Sequence, residues 1–277
     1  MPRRSLTSRL FYGFCLPVLL AGAWQMLAVW LDQPAILPRL EAVGIVLANP
    51  AAKVLISGSL LESTLVSLLR VCLGFLLAAF AAVPLGLWMG HSRKVEHFFD
   101  STIEVLRPIP PLAWIPLILA WLGIKGLTDY VPALAGSTIL ASIQFSALAI
   151  ILIGAFFPIL LSTIQGVKSI PIEYIESART LGARGFKLLV KVLLPASLSA
   201  ILTGLRIGLG VGWMCLVAAE MLPGSSAGLG YLVWYAYELF RADVVVAGIM
   251  VIGFIGLAMD RGFRSMQKMM LPHQGLV

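Results

Sequence analysis

The chain has 277 residues, 60% hydrophobic and 12% charged, with a mean hydropathy of +0.97 and a formal net charge of +7. Those proportions exclude an ordinary soluble domain. The Lys and Arg residues lie beside apolar runs and not on one patch, so the positive charge reads as membrane topology and not as a nucleic-acid surface.

Arg3, Arg4 and Arg9 precede an apolar run from Phe11 to Leu31, about the ~20 residues a bilayer requires. Ala21-Gly22-Ala23 has the small-residue look of a signal-peptidase site. The apolar run continues through Trp24, Leu27 and Trp30, so it is read as an uncleaved first span. Residues 32–59, with Pro34, Pro38 and Pro50, form an external loop with a short helix around Leu40 to Leu47. A second span runs from Leu65 to Gly90 and exits at His91-Ser92-Arg93-Lys94.

A helix over 95–106, with Glu96, Asp100 and Glu104 on its polar side, leads to Arg107-Pro108-Ile109-Pro110-Pro111 and a third span ending near Gly123. The prolines forbid an ordinary helix start there and read as a stiff corner. The apolar run from Val131 to Ile164 would reach about 50 Å as one helix, so it must break. A fourth span is expected from Gln144 to Ile164, a fifth from Ala196 to Leu216 and a sixth from Val244 to Met259. Residues 221–243 form a Gly- and aromatic-rich external segment. The three cysteines, Cys15, Cys72 and Cys215, all fall in apolar runs without metal-ligand spacing, and read as packing residues.

The fold class is therefore all-α, a polytopic membrane protein of about six transmembrane helices. With cytoplasmic N- and C-termini, the outer loops hold only Arg39, Lys53, Lys125 and Arg241, and the other loop cations fall inside, as the positive-inside rule requires. The chain divides into 1–59, a first helix and external loop; 60–264, the transmembrane domain with a polar loop at 168–192; and 265–277, a cytoplasmic tail.

That loop contains IPIEYIESARTLGARGFKLLVKVLLP, residues 170–195, a charged helix-forming stretch between two apolar segments. Pro171 suits a first helical position, Glu173 suits the first turn, and Tyr174, Ala178 and Leu181 fall on one face. Gly182 supplies a C′ stop. On pattern alone such a helix also fits an interfacial segment lying on lipid headgroups. Its spacing is more specific. Glu176-Ser177-Ala178, three residues, Gly182, nine residues and Val192-Leu193-Leu194-Pro195 resembles the E-A-A, three residues, G, nine residues, I-x-L-P signature of ABC importer permeases. Ser177 stands for the central Ala and Val192 for Ile.

Further stretches resemble the taurine, sulfonate, nitrate and bicarbonate branch of those permeases. They are Ser67-Leu68-Leu69-Arg70-Val71, Arg107-Pro108-Ile109-Pro110-Pro111-Leu112-Ala113-Trp114, Gly154-Ala155-Phe156-Phe157-Pro158 and Ala218-Ala219-Glu220-Met221. The likeness covers roughly Leu60 to Arg264. One region departs from it: residues 125–150 read as an insertion at the outer mouth.

The resemblance implies a permease subunit of the bacterial-type inner membrane, paired with a second copy, two cytoplasmic ABC ATPase subunits and an extracytoplasmic solute-binding protein. It implies alternating access, and a coupling helix in the motif loop that docks on the ATPase. There Glu173 and Glu176 are expected to make polar contacts, Ser177 and Ala178 to pack closely, Gly182 to make the turn, and Pro195 to close the signature. The chain has no G-x-x-x-x-G-K-[ST] cradle of its own, so it is expected to be a transport subunit and not an enzyme, with no cofactor or metal.

Charges within spans are functional candidates. Arg70 reads as snorkelling to an outer end or touching substrate. Arg206 reads either as facing the translocation path, where its fork of donors suits an oxyanion, or as ion-paired with Glu220 or an acid of the other copy. Trp213 and Met214 line the path or the core. Glu220 is a gate, a proton carrier or a solvated boundary acid. Gly204, Gly208 and Gly212 form a small-residue ridge for helix packing, at the dimer interface or elsewhere. The alternative reading is an ion-gradient-driven secondary transporter with Glu220 and Arg206 as its coupling pair.

Overall fold

The computed structural model describes residues 6–55, 58–123, 125, 126, 129, 142–222 and 224–270. The expected charges at Arg3 and Arg4, the end of the tail beyond Met270 and most of the expected insertion lie outside the described residues.

The chain opens with α1 (Leu6–Leu31) and α2 (Leu40–Ala48). An antiparallel hairpin of β1 (Lys53–Leu55) and β2 (Gly58–Ser59) follows. Ser59 starts α3 (Leu60–His91) with a capping box: the Glu62 N–H donates to Ser59 Oγ at 3.1 Å, and the Ser59 N–H donates to Glu62 Oε2 at 3.0 Å. The amphipathic α4 (Arg93–Leu106) comes next. The chain then turns by 86° into a 3-10 turn (Pro111–Trp114) and α5 (Ile115–Leu122). After α6 (Phe145–Lys168), the motif loop holds α7 (Ile172–Thr180) and a helical stretch over 186–196 with a π turn at Leu189–Leu193. α8 (Leu198–Glu220), α9 (Leu229–Glu238) and α10 (Ala242–Met270) complete the order.

The core is a slab of three helices with α6 in the middle, packed along α3 on one side and α8 on the other. Glycines set the spacing. A Cβ at Gly74, Gly86 or Gly90 of α3 would lie 2.7 Å from Ile151, Thr163 or Val167 of α6. On the other side, a Cβ at Gly204 or Gly208 would come within 2.6 Å of Ser162 or 2.7 Å of Ile159. Helices approach this closely only where one of the two carries no side chain at the crossing. The ridge Gly204, Gly208, Gly212 therefore packs inside the chain against α6. Ile151, Ala155, Ile159, Leu160 and Leu216 are fully shielded in this seam.

The matched contacts also fix direction. Gly74, Gly86 and Gly90 meet residues that rise in the same order along α6, so α3 and α6 run parallel; α8 runs antiparallel to both. The chain between α3 and α6 must then return across the slab. The expected third span is too short to do this alone, because the 12 residues Pro111–Leu122 reach about 18 Å at 1.5 Å per residue, against a core of about 30 Å. α4 and the Pro111–Leu122 segment, bent by 86° at the proline corner, reach membrane length and hydropathy only when taken together.

Four described helices, α3, α6, α8 and α10, are long and apolar enough to cross a membrane, and counting the bent pair as one span raises this to five. The expected loop over 221–243 contains α9, whose Leu229, Leu232 and Ala236 are shielded completely. Cys215 is buried, but Cys15 and Cys72 face away from the bundle, so the packing role expected of all three holds for one.

Candidate functional site

Two constellations stand out at opposite ends of the slab. The first is the motif loop. α7 starts at Pro171, which is the N-cap and not the first helical residue, and it ends in a Schellman motif. There the Ala183 N–H donates to the Ala178 carbonyl at 2.9 Å and the Gly182 N–H to the Arg179 carbonyl at 3.0 Å. Gly182 takes φ +85°, a conformation that L side chains rarely adopt.

Ile175 and Ala178 turn inward onto an apolar cluster of Leu87, Val167, Leu188, Leu193 and Ile201. Glu173, Tyr174, Glu176, Ser177 and Leu181 face outward, with Leu181 89% and Tyr174 69% exposed. Ala178 was expected on the contact surface with Tyr174 and Leu181; it packs against the body instead, because α7 needs an apolar anchor. Pro195 is exposed at the end of the loop, just past the π turn.

The second constellation is a buried polar centre where α3, α8 and α9 meet. Arg70 and Glu220 are 0% and 1% exposed and pair at 2.8 Å through Nη1 and Oε1. Arg70 Nη1 also donates to the Ala227 carbonyl at 2.9 Å, and Nε donates to the Ser142 carbonyl at 3.0 Å. The Ser67 hydroxyl lies 2.8 Å and 2.9 Å from the two Glu220 oxygens and accepts the Leu229 N–H at 2.8 Å. The Gly230 N–H donates to Glu220 Oε2 at 3.0 Å. The carboxylate thus sits at the amino end of α9, where orphan N–H groups and the helix dipole favour an anion.

Two sequence expectations are corrected here. Arg70 does not snorkel to a surface, and Glu220 is not a solvated boundary acid; a partner 150 residues away in the chain lets both be buried. The close approach demands glycine, since a Cβ at Gly228 (φ +114°) would lie 2.3 Å from Glu220 Cδ.

Arg206 has a different partner from the one expected. Its Nε lies 3.9 Å from Asp260 Oδ1 on α10, and Asp260 also pairs with Arg264 at 2.9 Å. Arg206 and Glu220 are not paired, which removes the ion pair on which the secondary-transporter reading rested. Trp213 is 4% exposed, with its indole N–H donating to the Ile252 carbonyl at 3.3 Å, so it belongs to the core between α8 and α10. Met214 points the other way and is 71% exposed. Among the described residues, no group of three His, Cys, Asp or Glu side chains could hold a metal ion.

A slab of membrane-length helices with a capped, outward-facing amphipathic helix between two of them is the architecture of a multi-pass membrane protein with a polar docking loop. Residues 82–270 match the model of the binding-protein-dependent transport system inner membrane component family, and the chain belongs to that family of ABC transporter permeases. It is a multi-pass protein of the inner membrane.

It is 51% identical over 261 residues to a Methanocaldococcus jannaschii protein named as an ABC transporter permease, covering 94% of this chain and 91% of that one. It is 37% identical over 265 residues to the taurine transport system permease of Escherichia coli, covering 95% and 89%. A bicarbonate transport system permease of Synechocystis is 34% identical over 211 residues, covering 76% and 69%. Among solved structures, an inward-facing form of the MetNI methionine ABC transporter superposes with a TM-score of 0.52 at 19% identity over 74% of this chain and 95% of that chain, a likeness of fold.

Proposed function

We propose that this chain forms the translocation path of an ATP-driven importer for a small oxyanion, of the sulfonate, taurine, nitrate or bicarbonate kind. It works as a homodimer with separate cytoplasmic ATPase subunits and an extracytoplasmic binding protein. Its relatives include permeases named for taurine, aliphatic sulfonates, bicarbonate and nitrate, which favours that substrate class.

The observation that carries the coupling role is α7. Its body face is anchored by Ile175 and Ala178, its end is fixed by the Gly182 turn, and its outward face offers Glu173, Glu176 and Ser177 beside Tyr174 and Leu181. A rigid helix presenting two carboxylates and exposed apolar side chains suits a cleft on another protein better than it suits water. Motion of that partner would pass along the 186–196 stretch into α8 and across the glycine seam to α6. Arg206 and Met214, partly or largely exposed on α8, are the candidates for the path wall.

Affinity purification from native membranes in mild detergent, beside a Glu176→Lys variant, tests this reading. An ATPase is expected with the parent chain and is expected to be lost from the variant. A chain that purifies without one and moves solute in liposomes under an ion gradient alone would sink the proposal.

A further inference from the structure

Where α3 and α6 end side by side, His91, Arg93, Lys168 and Arg179 surround an open cleft of about 480 Å3 that reaches behind α7. Val167, Ile170, Ile172 and Ile175 form its apolar side. Its one acidic lining group, Glu96, is ion-paired with Lys168. Among the described residues Arg93 and Arg179 have no carboxylate partner, so the cleft carries net positive charge. The amino end of α4 also opens here, and its N-cap residue Ser92 makes no side-chain cap, which adds the positive end of a helix dipole.

Depth and geometry narrow the occupant. Two spanning helices terminate at this cleft, so it lies where the hydrocarbon ends and headgroups begin, whichever side of the membrane it faces. The cleft-lining residues of α7, Ile172, Ile175 and Arg179, follow an i, i+3, i+7 stripe distinct from the outward stripe Tyr174, Ser177, Leu181. A protein docked on the outward stripe would contact residues other than those that line the cleft.

We propose that this cleft binds the phosphate headgroup of an anionic phospholipid. Arg93 and Arg179 are its main contacts, Lys168 is shared with Glu96, and the isoleucines and Val167 lie against the first acyl carbons. A free phosphate ion would leave that apolar side unused. Because Arg179 stands on α7, lipid occupancy would tie the root of the coupling helix to the membrane surface. The binding itself does not depend on the transport reading.

Native mass spectrometry of the full chain in detergent, titrated with phosphatidylglycerol or phosphatidylcholine, tests the site. A bound phosphatidylglycerol that survives mild activation is expected. Arg93→Gln with Arg179→Gln should weaken it about thirtyfold, which is about 2 kcal/mol for two cations near a membrane surface. Arg93→Lys with Arg179→Lys should keep most of the binding. Arg261→Gln with Lys268→Gln, which removes two cations outside the cleft, should leave it unchanged.

Equal loss from that control pair would overturn the site in favour of diffuse attraction. Equal retention of phosphatidylcholine, or binding of inorganic phosphate but not of phosphatidylglycerol, would also overturn it. Thermal unfolding of each variant in detergent checks its fold. If the double Gln variant fails to fold, Arg93→Gln alone is read, with a loss of about fivefold expected.

Discussion

Glu220 shows how a carboxyl group is accommodated inside a membrane protein. Its two oxygens meet a guanidinium, a hydroxyl and a backbone N–H, so no bonding capacity is left facing hydrocarbon. Glu220→Gln keeps the shape but strands the fully buried Arg70 charge without a carboxylate partner. A loss of about 3–5 kcal/mol is expected, read as a lower unfolding midpoint in detergent. Replacing both partners, Arg70→Met with Glu220→Met, removes the stranded charge. Its cost should fall below the sum of the single substitutions by about 2 kcal/mol, and additive costs would show that the pair is not coupled. Gly228→Ala attacks the same centre from the backbone. Its Cβ would overlap the Glu220 carboxyl at a φ of +114°, so it should cost at least about 1–3 kcal/mol.

At the level of elements, local signals were legible in the sequence and distant ones were not. The long apolar runs marked α3, α6 and α8 to within about five residues, because membrane-length hydropathy is a strong signal, but α10 runs on to Met270, well past the expected end at Met259. Gly182 announced the end of α7 because a helix stop is written in one residue. The Arg70–Glu220 pair was invisible, since nothing local in either sequence context names a partner on another helix. α9 was missed because ten residues rich in aromatics, following a Gly-rich stretch, look like a loop until Glu220 accepts from their amino end. The proline corner at 107–111 was legible as a break, but the need for a return crossing on either side of it became clear only from the parallel course of α3 and α6.

Two substitutions test these elements separately. Gly182→Val forces a β-branched residue into the left-handed region and loses the Schellman turn. Uptake should fall at least tenfold while the amount of protein in the membrane changes little; unchanged uptake would detach the turn from coupling. Gly208→Leu drives a side chain into Ile159 and the Ala155 carbonyl, 2.7 Å and 3.0 Å from its Cβ position. It should instead deplete folded protein itself, measured as less monodisperse material after extraction.

For the whole molecule, the directions of the helices reduce topology to a single question. α3 carries the chain from the hairpin end to the α7 end, the bent pair returns it, α6 crosses again, α8 returns, and α10 runs back beside Arg206 and Asp260. The α7 end and the last turns of α10 therefore share one side, and the hairpin and α9 share the other. The positive-inside rule, applied to the distribution of Lys and Arg, predicts that the α7 end lies inside. An inside α7 is the arrangement in which an ATPase reaches it. Labelling resolves this on a chain whose own cysteines are replaced by alanine, with one cysteine returned at exposed Asn49 or Ser177. A membrane-impermeant maleimide should modify Asn49→Cys in intact spheroplasts and reach Ser177→Cys only after permeabilisation. The reverse pattern would put the motif loop outside and remove the physical basis for coupling, since no ATP-hydrolysing partner could then meet α7. If both sites react in intact spheroplasts, the parallel course of α3 and α6 does not hold in the membrane, and the return crossing between them fails with it.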